Sequence, residues 1–187
     1  MNSVEALQRL TEGNERFVAD RLDGVLQDSI RRQAVVGGQS PYAIILSCAD
    51  SRVVPELVFD TGLGELFVIR VAGNIANTSS IASIEYAVAH LGVKLIVVLG
   101  HQSCGAVSAA MAGGDNGHNL NHLLAHLQPA LHACPDGDLD AVVRENAMQT
   151  ANFLTARSRV IREAAEADLD IIPAWYMLES GQVDLLV

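Results

Sequence analysis

Leu95-Ile96-Val97-Val98-Leu99-Gly100-His101-Gln102-Ser103-Cys104-Gly105 is the stretch on which the reading of this chain turns. Its first five residues are apolar without interruption. A half-exposed strand alternates apolar with polar residues, so an unbroken run predicts a strand buried on both faces. The run then gives way to a histidine, a cysteine and turn-forming residues, which predict a loop carrying chemistry. Two further runs share this design. Ala43-Ile44-Ile45-Leu46-Ser47-Cys48 is entered through Pro41 and leads into Ala49-Asp50-Ser51-Arg52. Leu66-Phe67-Val68-Ile69-Arg70-Val71 follows the turn Gly62-Leu63-Gly64 and leads into Gly73 and Asn74, read as backbone turn positions. Helical stretches fill the gaps, at about 54–60, where Pro55 suits a first turn, and at about 78–91. Strand and helix in alternation predict a parallel sheet.

Working outward, helices are expected near 104–112, 120–132 and 139–167. A fourth strand follows at about 170–178, and 182–187, after Ser180-Gly181, reads as a closing edge strand. Upstream, 3–20 reads as an amphipathic helix with Val4, Leu7, Leu10 and Phe17 on one side and Ser3 as its N-cap. A second helix, about 26–36, ends at Gly37-Gly38. Both precede any strand, so they read as an arm. The expected fold is α/β: a mostly parallel central sheet of four to five strands flanked by helices, with an N-terminal helical arm. One domain spans 1–187, divided into the arm (1–38) and the α/β core (39–187).

Composition narrows the function. Half of the 187 residues are hydrophobic, enough for a core without disulfides. Twelve basic residues face 22 acidic ones, a net charge of −10, which argues against nucleic acid or an anionic membrane as partner. No apolar run reaches the length of a membrane span, and the polar, periodic first twenty residues do not resemble a signal peptide. The three cysteines, Cys48, Cys104 and Cys134, make no disulfide framework. They leave open a metal site or reactive thiols in a reducing compartment, hence an expected cytoplasmic location.

The chemistry gathers where buried strands end. Open α/β sheets place ligands at the carboxyl ends of their strands, and there Cys48 and Asp50 stand two apart and His101 and Cys104 three apart. Singly, each cysteine reads as a small core residue and the histidine as a capped loop residue. Together they form the short local pairs from which zinc sites are built. Gly105 lets a helix start beside Cys104, whose thiolate that helix N-terminus would favour. His118, His122 and His126 recur every four residues; without a cysteine or acidic partner at ligand spacing they read as a solvated or proton-relaying face. His90 reads as a helix-end residue, and Cys134, beside His132, as a bystander.

Cys48-Ala49-Asp50-Ser51-Arg52 followed by Gly100-His101-Gln102-Ser103-Cys104-Gly105 resembles the beta-class carbonic anhydrases. The likeness extends over Glu12 to Phe17, Gly62 to Asn74, Ser83 to Val88 and Ala174 to Gly181. It implies zinc held by Cys48, His101 and Cys104, and reversible hydration of carbon dioxide to bicarbonate and a proton. It implies a catalytic pair, Asp50 and Arg52, in which Asp50 either stays with Arg52 and leaves room for water, or ligates the zinc and closes the site. Gln39, Phe67 and Tyr86 resemble positions of open-type members, and no tryptophan precedes Cys48 on its strand, so the open type is expected. Gln39 and the backbone at Gly105 are expected to bind bicarbonate, with apolar walls from Phe67 and Val71. The resemblance further implies a homodimer or higher homo-oligomer, with Gln39, Phe67 and Tyr86 serving a zinc held by the partner. Arg70 is left without a role. Hydrolysis of carbon disulfide or carbonyl sulfide, and a closed structural or regulatory zinc module, remain open as alternatives.

Overall fold

The structure, a computed structural model, describes residues 1–186. Its centre is one sheet of five strands: β1 (Ala43–Ser47), β2 (Leu66–Arg70), β3 (Leu95–His101), β4 (Asp170–Tyr176) and β5 (Val183–Leu185). In space they run β2-β1-β3-β4-β5. The first four are parallel, and β5 turns back antiparallel along β4. The expected mostly parallel sheet is therefore present. Val187, at the end of the expected edge strand, lies outside the described residues.

β1 and β3 are buried along their whole length, as their unbroken apolar runs require. Alternate side chains feed two cores. Ala43, Ile45, Leu95, Val97 and Leu99 pack on the side of α1 (Ser3–Val18) and α3 (Pro55–Val58). Ile44, Leu46, Ile96 and Val98 pack on the side of α4 (Thr78–Leu91), α8 (Leu139–Arg157) and α9 (Arg159–Ala167). A third cluster gathers beyond the strand ends, under α5 (Gly105–Ala112), α6 (His118–Ala125) and α7 (Gln128–Ala133); it holds Cys48 and Cys104 with Val107, Leu124 and Leu127. The short α2 (Ser29–Ala34) is capped by Asp28.

Three helix boundaries differ from the sequence reading, each for a local reason. The N-cap of α1 is Asn2, not Ser3, because Asn2 and Glu5 satisfy each other's backbone N–H in a capping box. The helix expected over 139–167 breaks at Ser158. That residue is extended, its hydroxyl accepts from Ile161 N–H to start α9, and it donates to Glu85 at 2.6 Å. The stretch 120–132 is two helices, since α6 stops at Ala125 and Pro129 takes the first turn of α7.

The expected apolar side of α1 packs on the core at Leu7, Leu10 and Phe17 but not at Val4. Val4 is 71% exposed, while Ala6, Leu10, Gly13 and Asn14 point inward. A Cβ on Gly13 would stand 2.0 Å from the Phe59 carbonyl oxygen, so only glycine lets α1 lie this close to the end of α3. Asn14 fixes the contact: its amide donates to the carbonyls of Val58 (3.1 Å) and Gly181 (2.8 Å) and accepts from Val183 N–H (2.9 Å). The arm is thus bound to its own chain's core.

Candidate metal centre

Strand order dictates where a ligand can sit. From β1 the chain crosses to β2 on one side, and from β3 to β4 on the other. Loops diverging in this way leave a crevice between adjacent strands at their carboxyl ends. Cys48 leaves β1 at that point, and His101 and Cys104 lie at the end of β3. Their ligand atoms all lie within 4.8 Å of one another, and all three residues are buried. No other group of three or more such side chains meets that condition among the described residues. His122 and His126 do meet edge-to-face, 5.7 Å between ring centres, with no third donor beside them.

The donors suit a metal. His101 Nδ1 lies 2.9 Å from the Gln102 carbonyl oxygen, which requires the proton on Nδ1 and leaves Nε2 a bare lone pair. Nε2 is buried with no hydrogen-bond partner among the described residues. An orphaned buried acceptor facing two cysteine sulfurs is otherwise unfavourable. Cys104 is the N-cap of α5, and Cys48 Sγ accepts from Gly73 N–H at 3.4 Å. Gly73 sits at φ 71°, a backbone setting that glycine takes without strain.

Asp50 stands outside this group of three. Arg52 grips it with two parallel bonds, Nε to Oδ1 (2.9 Å) and Nη2 to Oδ2 (2.8 Å), and its own N–H adds a third to Oδ1. Asp50 Oδ2 lies 3.9 Å from His101 Nε2, so the carboxylate borders the donor cluster while bound to Arg52. These side-chain bonds first, then the backbone bond, hold Asp50 well below the usual carboxylate range.

Sequence reasoning missed the residues that hold these loops. Arg70 Nε donates to the Cys48 carbonyl (3.1 Å) and its Nη2 to the Asp50 carbonyl (2.6 Å), which fixes the loop after β1 from the neighbouring strand. Asp140, in the first turn of α8, accepts from Ser103 N–H (3.2 Å) and steadies a residue at φ 57° between His101 and Cys104. Asn146, deep in α8, donates to the Gly73 carbonyl at 2.9 Å.

The remaining candidates divide by position. Val71 packs against the cluster that contains both cysteines, and Gly105 opens α5. Phe67 pairs with Ile44, four residues before Cys48, which is about 13 Å along the strand. Tyr86, 48% exposed, lies beside Phe67 with ring centres 6.4 Å apart. Gln39 is exposed and precedes β1 at the opposite end of the strand from Cys48. The chain does not bring these three to its own Cys48, His101 and Cys104.

The family model for carbonic anhydrases matches residues 43–183, a span that includes every one of the donor residues. Over 98% of its length the chain is 42% identical to carbonic anhydrase 2 of Mycobacterium tuberculosis, covering 93% of that protein. Among solved structures it resembles the beta-carbonic anhydrase of Coccomyxa in complex with acetazolamide, at TM-score 0.78 and 28% identity over 96% of this chain and 86% of that one. The chain belongs to the beta-carbonic anhydrases. A tetrameric beta-carbonic anhydrase of Sordaria macrospora matches at TM-score 0.76 and 28% identity, over 83% of this chain and 85% of that one.

In this beta-carbonic anhydrase the two thiols are unequal. Cys48 is pushed down, first by the hydrogen bond from the Cys104 thiol, against burial, and further by Gly73 N–H. Cys104 is pushed up by that same bond and by burial. Both sulfurs would have to be deprotonated to hold a metal, so metal affinity at this pair would depend on pH.

Proposed function

We propose that this chain is a zinc-dependent carbonic anhydrase that interconverts carbon dioxide with bicarbonate and a proton. The observation that carries the reading is the donor triad with its bare His101 Nε2, bordered by an Asp50 carboxylate that Arg52 keeps ionised. Cys48, His101 and Cys104 would hold the ion, and a set of two sulfurs and one nitrogen suits zinc. When bound, the metal supplies a Lewis acid that lowers the pKa of water enough to make it a nucleophile near neutral pH.

The chain's own residues do the rest. Two thiolates cancel the charge of a divalent ion, so water there is less acidified than by neutral histidines and needs a local acceptor. Asp50 Oδ2 is that acceptor: held toward the donor cluster, it takes a hydrogen bond from the nucleophile and orients it. Arg52 keeps Asp50 charged and off the metal, which supports the open type. The backbone at the start of α5, from Gly105, binds bicarbonate oxygens, and Val71 provides an apolar wall for an uncharged substrate.

Gln39, Phe67 and Tyr86 belong to the reading as the contribution of a second copy. Supporting this, all three lie away from their own triad, and β2 is an edge strand whose Leu66, Phe67, Val68 and Ile69 are only half-buried. A homodimer or larger homo-oligomer would bring them to the neighbour's cluster, with Gln39 binding bicarbonate. A cytoplasmic setting belongs to the same reading, because cysteine ligands stay reduced there.

Stopped-flow hydration of carbon dioxide, with zinc quantified in the same sample, tests the proposal. One zinc per chain and rapid hydration are expected. Full zinc occupancy without hydration at alkaline pH would overturn it, and carbon disulfide and carbonyl sulfide assayed in parallel establish the substrate.

A further inference from the structure

The buried amide of Asn146 lies two hydrogen bonds from a metal-ligating sulfur. Asn146 is 3% exposed, and its Nδ2 donates to the Gly73 carbonyl from the middle of α8. The other polar group of Gly73, its N–H, donates to Cys48 Sγ. Gly73 is the third residue of a turn closed by Asn74 N–H donating to the Val71 carbonyl (2.9 Å), and a Cβ there would stand 3.2 Å from Leu127 and 3.4 Å from Ala106. Glycine at φ 71° takes this turn without strain, and the Asn146 amide ties the turn to α8. The Asn146 bond reaches across 73 residues of sequence to do so.

We propose that Asn146 is a positioning residue for the metal centre: by anchoring the Gly73 carbonyl it keeps the Gly73 N–H on Cys48 Sγ and so sets how strongly that sulfur donates to the metal. The inference rests on Cys48 being a ligand, as in the function proposed above. An N–H on a thiolate draws charge from the sulfur. Less charge then reaches the ion, which stays a stronger Lewis acid. This matters most where two thiolates already neutralise the metal. Outer partners of ligands are typically worth 10–100-fold in metal affinity or activity.

The test uses the full chain loaded with Co2+ in place of zinc, together with zinc affinity from chelator competition. In Asn146→Leu the sulfur-to-cobalt charge-transfer band is expected to move to longer wavelength because the sulfur donates more strongly, and zinc affinity to fall roughly 10-fold because Cys48 Sγ is no longer held in place for the metal. Leu154→Ala, two turns along the same helix and in a different core cluster, controls for general loosening of α8 and should leave both unchanged. Asn146→Ser is too short to span the gap, retains a polar group, and carries the same test where the leucine variant fails to fold. An unshifted band with zinc affinity within twofold of the parent would overturn the role of Asn146 and leave the proposed function standing. Absence of any sulfur-to-cobalt band in the parent protein would instead remove Cys48 as a ligand, and both readings with it.

Discussion

At the scale of single residues, the site separates groups that donate to a metal from groups that hold the donors still. Asp50 belongs to neither class. It borders the cluster at 3.9 Å from His101 Nε2 and is bound on its far side by Arg52. Asp50→Ala is therefore expected to retain zinc and lose activity by about 100-fold or more, the range for a lost proton acceptor. Zinc content beside the hydration rate checks this, and a fully active variant would remove Asp50 from the scheme. Arg70 acts on backbone. Its two bonds fix the carbonyls of Cys48 and Asp50, so Arg70→Met should weaken zinc affinity about 10-fold while the fold persists, as chelator competition and circular dichroism would show. Cys48, His101 and Cys104 were legible in the sequence as candidate ligands because they stand, with Asp50, in short local pairs at the ends of apolar runs. Arg70, Asp140 and Asn146 were not, because their partners lie 22, 37 and 73 residues away. A polar residue in a helix shows nothing of such a partner until the chain has folded.

At the scale of elements, α1 shows how much a helix face depends on what it meets. Hydropathy chose Val4, Leu7, Leu10 and Phe17; the last three do pack on the core, joined by Ala6, Gly13 and Asn14, while Val4 stays exposed. Small residues permit close approach, and closeness was worth more than one further valine. Gly13→Ala forces α1 away from Phe59. It should lower Tm by about 6 °C, as overpacking does in a chain of this size, with earlier proteolysis of the first eighteen residues. The turn after α1 is fastened by Asp60, which accepts from Arg16 Nε (2.5 Å) and from the N–H groups of Asp23 (3.0 Å) and Gly24 (3.2 Å). Burial opposes its charge, but Arg16 and the two N–H groups prevail and hold Asp60 below its ordinary pKa. The folded state therefore prefers the ionised carboxylate. Its stabilisation is fully present above the ordinary carboxylate pKa and is lost as pH falls through the lower folded value. Asp60→Asn should lower Tm by about 5 °C near neutrality and flatten the acid limb of a Tm-against-pH curve. An unchanged acid limb would remove Asp60 from the account.

At the scale of the whole molecule, one sheet carries the triad at one end and Gln39, Phe67 and Tyr86 toward the other. A site shared between two-fold related copies makes a specific expectation. Asp50→Ala and Gln39→Ala chains, each poorly active alone, should regain roughly a quarter of parental activity when unfolded and refolded together in equal amounts. Half the dimers are then mixed, and one of their two sites is intact. No recovery, with mixed dimers confirmed by native mass spectrometry, would refute sharing. The α/β class, the parallel sheet and the gathering of Cys48, Asp50, His101 and Cys104 at its carboxyl edge were determined by sequence alone, because each rests on local pattern: unbroken apolar runs, short spacings, and loops at strand ends. The close approach of α1 at Gly13 and Asn14, the breaks at Ser158 and before Pro129, the anchoring of Gly73 by Asn146 and the grip of Arg70 were decided only in the tertiary structure. They depend on which distant backbone groups come within hydrogen-bond reach and how closely elements can approach, and neither quantity exists along the chain before it folds.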